Sequence, residues 1–447
     1  MTPTDAPAAA TPPARSPVAA TPDRAVVGVD FGTTNSVVAI LQPDGSVATA
    51  RYAVGRAEFD TFRSVLCFWQ EQGASGRGLT RHAAGPEAIE AYLEDPLASR
   101  LIMSIKSYLA QRSLAETRVL GRSYGLEQLV ALLLGELFGA AGGLPTAARL
   151  VAGRPVRFVG ETADDALGEQ RLRDGFRAAG FRDIHVAMEP EAAGYRFAST
   201  LDGAATVLVG DFGGGTSDFS ILRFEPGPPR RVTPLGHAGV GVAGDALDYR
   251  IIDNVVSPRL GKNTSYSIMG KDLPVPPGWY GNFARWHRLS LMRAPRTLRE
   301  INEVARTASH PERLEHLVRF IEDEAGYALY QAVSGCKAAL SRADEAVLSF
   351  EHEDFRFAEN IPRASFERWI APELAQFDAT IDRALLDANL REAEIDRVFL
   401  TGGTSLVPAV RALFDRRFGA GKVAGGSEFV SVAEGLALIG GALHGDA

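Results

Sequence analysis

The sequence predicts an α/β fold, because apolar, strand-like runs alternate with helical patterns along most of its 447 residues. Two stretches add detail: "AVVGVDFGTTNSVVAIL" from Ala25 and "VLVGDFGGGTSDFSIL" from Val207. Each consists of an apolar strand, Asp-Phe-Gly, a turn of small residues and a second apolar strand. A hairpin that occurs twice, about 180 residues apart, suggests a duplicated unit and two similar lobes.

The other elements follow from hydrophobic spacing and turn residues. Helical patterns cover three segments between the hairpins: 86–111, 126–141 and 161–178. After the second hairpin, a glycine-rich loop leads into a helix near Asp245. Apolar residues then recur with helical spacing over 311–341, which predicts one long amphipathic helix. Two short strands follow, then a helix beginning at Ser365, and finally a strand, a glycine pair and a helix with Pro408 in its first turn.

Composition and charge narrow the class of protein. A formal net charge of −8 gives no sign of binding to nucleic acids or anionic membranes. Cys67 and Cys336 lie in apolar contexts without metal or redox spacing, which predicts small core residues of a reduced, cytoplasmic protein. The apolar stretch 129–144 is short for a membrane span and contains Glu136, so we expect a buried helix. Residues 1–24, rich in Pro, Ala and Thr, predict a disordered tail.

The paired hairpins suit a triphosphate with its metal ion, which needs backbone N–H groups near the phosphate oxygens and carboxylates near the cation. We expect the first hairpin to contact phosphate through Thr33, Thr34 and Asn35, and the second through Gly213, Gly214, Gly215 and Thr216. Asp30 and Asp211 would face the cation from either side of a cleft. A dinucleotide-binding unit is excluded because β-branched residues, rather than a helix, follow the glycines. The alternative is two structural hairpins with solvated acids.

Three segments resemble a known family. "VGVDFGTTNS", "VLVGDFGGGTSDFSIL" and "VFLTGGTSLVPAVRAL" resemble the two phosphate motifs and the adenosine motif of DnaK-type, seventy-kilodalton heat-shock chaperones. "VAMEPEAAGYRFA" resembles the segment between the lobes of that family, and "SVAEGLALIGGAL" is most similar to the YegD branch, which lacks the peptide-binding domain. The resemblance implies a two-lobed, actin-like ATPase fold with duplicated hairpin phosphate motifs and a central nucleotide cleft.

The resemblance also implies a division of the chain. Lobe I would cover 25–200 and contain the first phosphate motif, Lys106 and Glu189. Lobe II would cover 201–428 and contain the second phosphate motif, the long helix and the adenosine motif. The segment 429–447 would form a helix that returns to lobe I, and no peptide-binding domain is expected.

The resemblance implies roles for particular side chains around ATP/ADP and Mg²⁺. Asp30, Asp211 and Glu189 would hold the metal ion mainly through water. Lys106 would position the attacking water and Thr216 would touch the γ-phosphate, so the implied catalytic residues are Lys106, Glu189, Asp211 and Thr216. The other reading of Lys106 is a cation on a helix surface, but lysine occurs at only five positions in this arginine-rich chain, which favours a specific role.

The remaining residues of the implied nucleotide site lie in four segments. Gly32 belongs to the first phosphate motif, and Gly244 with Asp245 resembles the second loop near the γ-phosphate. The alternative for Asp245 is a cap at a helix start. Further contacts to ribose and base are implied for Lys337, Ser341, Gly402, Gly403 and Thr404.

The chain departs from the family pattern at the adenine. Ala338 and Leu406 stand where the family has two arginines that sandwich the base, and Ser334 replaces a glutamate. Losing each cation–π contact removes about 0.5–2 kcal/mol. Ser431 replaces an aspartate near the C-terminus, which is expected to change the coupling between lobes.

The segment 276–300 places four aromatic residues among five arginines. Such a stretch is typical of a packed domain tip or a protein-docking surface, while the alternative is binding of single-stranded nucleic acid. Given the net acidity of the chain, we do not expect nucleic acid as a partner.

The leading functional hypothesis is an ATP-binding, slowly hydrolysing, chaperone-like protein that switches conformation with its nucleotide and acts on a protein client or partner. A small-molecule kinase of the same superfamily is the first alternative, although no carboxylate base for an acceptor can be assigned beyond the ATPase acids. A non-hydrolysing nucleotide sensor is the second. We expect a cytoplasmic location and no membrane contact.

Overall fold

The structure, a computed structural model, describes residues 25–54, 57–72, 78–95, 98–143, 148–159, 162–198, 201, 203–225, 231–285, 289, 292–323, 325–425 and 430–444. The predicted tail, 1–24, therefore lies outside the described residues. Strands and helices together confirm the α/β class.

The strands, in chain order, are β1 (Val26–Asp30), β2 (Asn35–Leu41), β3 (Val47–Thr49), β4 (Tyr52–Val54), β5 (Ala57–Phe59), β6 (Phe62–Arg63), β7 (Val65–Gln72), β8 (Gly78–Ala84), β9 (Ser99–Met103), β10 (Glu116–Val119), β11 (Arg122–Gly125), β12 (Arg149–Arg154), β13 (Ile184–Met188), β14 (Ala205–Phe212), β15 (Ser217–Glu225), β16 (Arg231–Val240), β17 (Ser265–Ile268), β18 (Lys271–Pro274), β19 (Glu345–His352), β20 (Phe355–Pro362), β21 (Arg397–Thr401) and β22 (Val423–Gly425).

The helices are α1 (Gly85–Glu94), α2 (Leu126–Ala140), α3 (Asp165–Ala178), α4 (Glu189–Ala198), α5 (Gly244–Ile251), α6 (Pro277–Phe283), α7 (Pro295–Ala305), α8 (Pro311–Glu322), α9 (Gly326–Leu340), α10 (Arg363–Trp369), α11 (Ala371–Asp387), α12 (Pro408–Phe418) and α13 (Ser431–His444). Shorter helical turns include Ile105–Tyr108 and Gly403–Leu406.

Two sheets share one topology. The first has the order β13-β12-β1-β2-β3, with β6 paired to β2, and the second has the order β22-β21-β14-β15-β16. In each sheet the three hairpin strands are antiparallel, and the two later strands add in parallel beside the first hairpin strand. The central strands are buried on both faces, which explains their continuous apolar runs. Both predicted hairpins are therefore present.

The hairpin turns lie at the carboxyl ends of parallel strands, where α/β sheets commonly bind ligands. The first hairpin closes beyond the pair Asp30–Val37 and the second beyond Phe212–Ser217. Asp211 pairs in parallel register with Thr401, so the second hairpin ends beside the turn that follows β21. The same fold thus places an acid at the end of β1 and another at the end of β14.

The prediction of one long helix over 311–341 was wrong. The chain forms α8 and α9 instead, and the Ala325 N–H donates to the Phe320 carbonyl, which closes the end of α8. Both helices bury their apolar face in the same core, so the hydrophobic spacing continues across the break and cannot reveal it. At the start of α9, a Cβ on Gly326 would lie 2.3 Å from Leu289 Cδ2, so a larger residue there would displace the Leu289 side chain.

Two further helix boundaries differ from the sequence interpretation. The helical pattern over 86–111 ends at Glu94, two residues before Pro96, and the following segment forms β9 in antiparallel pairing with β7. Lys106 consequently lies on the turn Ile105–Tyr108 and not on a helix surface. The helix expected to begin at Ser365 begins at Arg363, after Pro362.

The last helix, α13, packs on the first sheet. Ala433 and Ala437 lie in one cluster with Val26, Val37 and Ala39. A Cβ on Gly28 would lie 2.2 Å from the Ala433 carbonyl oxygen, so glycine in β1 permits the close approach. Within the described residues, none of the helices is long and apolar enough to cross a membrane.

Candidate functional site

One cavity of about 420 Å³ lies between the two hairpin turns. The residues that line it include all of the predicted site residues except Gly215, namely Asp30, Gly32, Thr33, Thr34, Asn35, Lys106, Glu189, Asp211, Gly213, Gly214, Thr216, Gly244, Asp245, Lys337, Ser341, Gly402, Gly403 and Thr404. Residues as far apart in the sequence as Asp30 and Thr404 therefore lie around the same cavity.

The glycine run of the second hairpin lies directly against the first hairpin. A Cβ on Gly214 would be 2.2 Å from Thr34 Oγ1, and one on Gly215 would be 3.6 Å from Thr33 Oγ1 and 3.3 Å from Val159 Cγ2. Gly215 thus faces the neighbouring segment rather than the cavity. Within the described residues, the N–H groups of Gly214 and Gly215 donate no hydrogen bond, and that of Gly214, which lines the cavity, is available to an anion.

A buried group of carboxylates surrounds a single lysine at the floor of the cavity. Lys106 is only 6% exposed and donates a hydrogen bond to Glu189, which begins α4. Burial, followed by the charge of Glu189, raises the pKa of Asp30 to about 7, and the same causes raise the pKa of Asp211. Although burial opposes it, the charges of Glu189 and Asp30 raise the pKa of Lys106. Negative charge outweighs positive charge here, so a bound cation would stabilise the group.

The three carboxylates do not form a direct metal site. Across the described part of the chain, no three His, Cys, Asp or Glu side chains are arranged to ligate one ion. Asp30, Glu189 and Asp211 nevertheless line the same cavity, and oxygen donors of this kind suit Mg²⁺, which commonly keeps several of its waters. The donor set therefore fits a hydrated magnesium ion.

Sequence reasoning missed Asp218, a buried acid that does not itself line the cavity. Asp218 lies opposite Asp211 in the hairpin and accepts hydrogen bonds from the Arg157 N–H, at 3.3 Å, and from the Thr216 hydroxyl. Burial, followed by the charge of Glu189, raises the pKa of Asp218 to about 8. Its place in the "GGGTSD" stretch was the signal that could have identified it.

This pKa predicts a pH dependence of stability. The folded protein holds the Asp218 proton to a higher pH than the unfolded chain does, so the stability it contributes is complete below about pH 4 and is lost as the pH rises through about 8. We expect the free energy of unfolding of the ligand-free protein to fall from about pH 5 to about pH 8.5, and Asp218→Asn to flatten part of that fall. Each pKa unit removed is worth about 1.4 kcal/mol at high pH.

Urea unfolding at several pH values measures this effect. The matched control is Asp272→Asn, which neutralises an exposed acid on β18 and should leave the slope unchanged. An identical pH slope in Asp218→Asn and in the parent protein would contradict the prediction.

Lys337 organises the other end of the cavity. Its ammonium group pairs with Asp248 at 2.9 Å and donates to the Gly244 carbonyl at 3.1 Å, which ties α9 to α5. Asp245 lies inside α5 after the cap residue Ala243, so its interpretation as a helix cap was wrong. Burial, followed by the charge of Asp248, raises the pKa of Asp245 to about 7.

The turn after β21 passes directly over the second hairpin. Gly402 has a φ of +84°, and a Cβ there would lie 2.0 Å from the Phe212 carbonyl oxygen, so only glycine allows this crossing. Thr404 is buried, and its Oγ1 lies 3.3 Å from the position of a Cβ on Gly244. Pro408 is in the first turn of α12, as predicted.

A known protein family matches the C-terminal part of the chain. The family model for the Hsp70 protein matches residues 320–447, which include Lys337, the turn after β21 and α13. The match confirms the Hsp70 resemblance. The proposed YegD branch of the Hsp70 family stays a prediction.

Three of the departures from the Hsp70 pattern, Ser334, Ala338 and Leu406, line the same cavity, and Leu406 is 43% exposed. Ser431, at the start of α13, hydrogen-bonds through its hydroxyl to Thr401 at 2.7 Å in a buried position. The hydroxyl pair links the end of β21 to the helix that packs on the first sheet.

Sequence comparison with Hsp70 motifs did not find Arg63. It lies at the end of β6, lines the cavity, and donates from Nη1 to Asn35 Oδ1 at 3.2 Å. Arg342 and Tyr330 also line the cavity and were not predicted. Arg63 comes from a short strand outside the motifs, so spacing alone offered no signal for it.

The aromatic segment 276–300 is partly core. Tyr280 is fully buried and donates its hydroxyl to the Leu260 carbonyl at 2.8 Å, and Phe283 is buried against Phe320. Arg285 stacks on the Tyr249 ring at 4.5 Å. Tyr280 and Phe283 are therefore not available to stack on bases, while Trp286 and Arg288 lie outside the described residues.

Proposed function

We propose that this chain binds ATP with Mg²⁺ in a cleft between two actin-like lobes, hydrolyses it slowly, and acts as a nucleotide-dependent, chaperone-like switch. The observation that carries the proposal is the single cavity shared by both phosphate motifs, the adenosine motif, Lys106 and Glu189. The Hsp70 family match supports a nucleotide-binding, chaperone-like function.

Separate residues would hold the metal ion and the phosphate oxygens of ATP. Magnesium, when bound, neutralises charge on the phosphate chain, and Asp30, Asp211 and Glu189 are the residues that would hold it through water. The N–H group of Gly214, which lines the cavity, would bind a phosphate oxygen.

Lys106 would act in the chemical step. Glu189 accepts its hydrogen bond and thereby fixes the direction of the ammonium group. Phosphoryl transfer depends mainly on placement and on stabilisation of charge, so a cation held rigidly on the floor of the cavity can orient water and offset developing negative charge. The Thr216 hydroxyl donates a hydrogen bond to Asp218. The Thr216 Oγ1 atom can therefore still accept a hydrogen bond from another donor.

Nucleotide binding and turnover test the proposal directly. We expect ATP to bind in a Mg²⁺-dependent manner, with single-turnover release of phosphate that does not require an added acceptor. Turnover that requires a sugar would favour the kinase alternative, and binding without any hydrolysis would favour the sensor. Absence of ATP binding would contradict all three.

A further inference from the structure

A second cavity lies outside the proposed nucleotide site. It has a volume of about 310 Å³, at the lower end of the range for small-molecule sites, and shares no lining residue with the first cavity. One wall comes from α1, β9, the turn Ile105–Tyr108 and α2, and the opposite wall comes from the end of α8 and the start of α9.

The walls of the second cavity are mostly apolar. Ile102, Met103, Leu114 and Leu129 line one side, and Leu289 and Ile321 line the other. Apolar walls hold water poorly, since a stable buried water needs two to four polar partners. The shape and chemistry of the walls suit an apolar body instead.

Two arginines bring positive charge to this cavity. Arg100 and Arg293 both line it, and among the described residues no aspartate or glutamate does. Arg100 is partly buried and forms no ion pair with any described carboxylate. Burial, followed by the charge of Arg293, lowers the pKa of the Arg100 guanidinium, so an anion placed here would offset both effects.

We propose that the second cavity binds a small amphiphile that has an apolar body and one anionic group, a carboxylate or a phosphate monoester. The apolar body would occupy the space between β9, α2 and Leu289, and the anionic group would pair with Arg100. A guanidinium in an apolar setting pairs well with either anion, because its donors match two oxygens at once.

Two elements connect the second cavity to the nucleotide cavity. On α9, Tyr327 lines the second cavity and Tyr330 lines the first, and both belong to one buried cluster with Tyr92. Along the chain, Ile105 lines the second cavity and the next residue, Lys106, lines the first. An occupant is therefore expected to change nucleotide affinity, and by linkage nucleotide changes the affinity of the occupant. This consequence rests on the proposed nucleotide function, whereas the amphiphile site does not.

Isothermal titration calorimetry on the full chain, without nucleotide, tests the site. The probes are octanoate and octyl phosphate, with octan-1-ol as the neutral match and octyltrimethylammonium as the cationic match. We expect at least one anionic probe to bind about tenfold or more tightly than octan-1-ol, and the cationic probe not to bind. The ranking of octanoate and octyl phosphate identifies the anionic group that the cavity prefers.

Variants assign the binding to this cavity. Arg100→Gln should weaken the anionic probe about tenfold, while Arg118→Gln, which removes an exposed arginine from β10, should have no effect. Leu114→Trp fills the cavity and should abolish binding of the probe even if Arg100→Gln does not fold. Equal binding of octanoate and octan-1-ol, or unchanged octanoate binding in Arg100→Gln and Leu114→Trp, would overturn the proposal. The outcome of these titrations does not depend on whether the chain binds ATP.

Discussion

Lys106→Ala is expected to bind ATP about as tightly as the parent protein and to lose about 100-fold in the rate of single-turnover hydrolysis. The ammonium group lies buried against Glu189, with the charges of Asp30 and Asp211 nearby. A cation fixed in this way stabilises the transition state more than it stabilises bound ATP, so its removal should affect the rate more than the affinity. Single-turnover phosphate release and equilibrium titration of ATP measure the two quantities separately.

A matched lysine variant controls for charge and stability. Lys262 also pairs with a carboxylate, Asp253, at 2.6 Å, but lies outside the cavity, so Lys262→Ala should hydrolyse ATP at the parental rate. Because Lys106→Ala leaves buried acids without their counter-charge, its thermal unfolding is recorded with and without Mg²⁺. Hydrolysis at the parental rate by a folded Lys106→Ala would exclude the catalytic role. If both proteins bind ATP and neither hydrolyses it, the sensor function replaces the ATPase.

The features that could be predicted from the sequence are those whose residues are contiguous in the chain. Each hairpin carries its strands, acid and turn within about 16 residues, so the pattern was visible without any knowledge of the fold. The α/β class and both hairpins are confirmed, as is the Hsp70 resemblance. Residues of all three motifs line one cavity, and their role in nucleotide binding stays a prediction.

The wrong helix predictions and the missed site residues have physical causes. The break between α8 and α9 was hidden because both helices face one core, which preserves their common spacing. Lys106 was placed on a helix because the apolar residues of β9 suit a strand or a helix equally well, and only its pairing with β7 decides between them. Arg63 reaches the cavity because β6 pairs with β2, and a single sequence does not record that pairing. Asp218 lies within the second hairpin motif and could have been noted there, although only the pairing of β14 with β15 places it opposite Asp211.

The glycine run was predicted to let the backbone approach phosphate, and the structure adds a second reason for it. A Cβ on Gly214 would lie 2.2 Å from Thr34 Oγ1, before any ligand is considered. Because φ at Gly214 is not in the left-handed region, the requirement is for space and not for backbone conformation. A larger residue here would have to displace the Thr34 hydroxyl or move the two hairpins apart.

Gly214→Val is therefore expected to weaken ATP binding about 100-fold, because the bulkier side chain separates the two hairpins that would share the phosphate chain. Equilibrium titration with ATP and Mg²⁺ measures the loss. Gly139→Val is the matched control, since a Cβ there meets no atom within 4 Å and the position lies on α2. Unchanged affinity in Gly214→Val would contradict any role of the glycine run in nucleotide binding.

Two substitutions with smaller side chains distinguish the two reasons for glycine at position 214, contact between the hairpins and approach of the phosphate. In Gly214→Ala the new methyl group meets the Thr34 hydroxyl, and Thr34→Ala removes that oxygen. If contact between hairpins limits the site, the double variant should recover most of the affinity that Gly214→Ala loses, beyond the sum of the single effects. If the methyl group instead blocks the phosphate, removing the Thr34 hydroxyl cannot restore binding. Rescue would thus assign Gly214 to closure of the two hairpins, and its absence would assign it to the ligand.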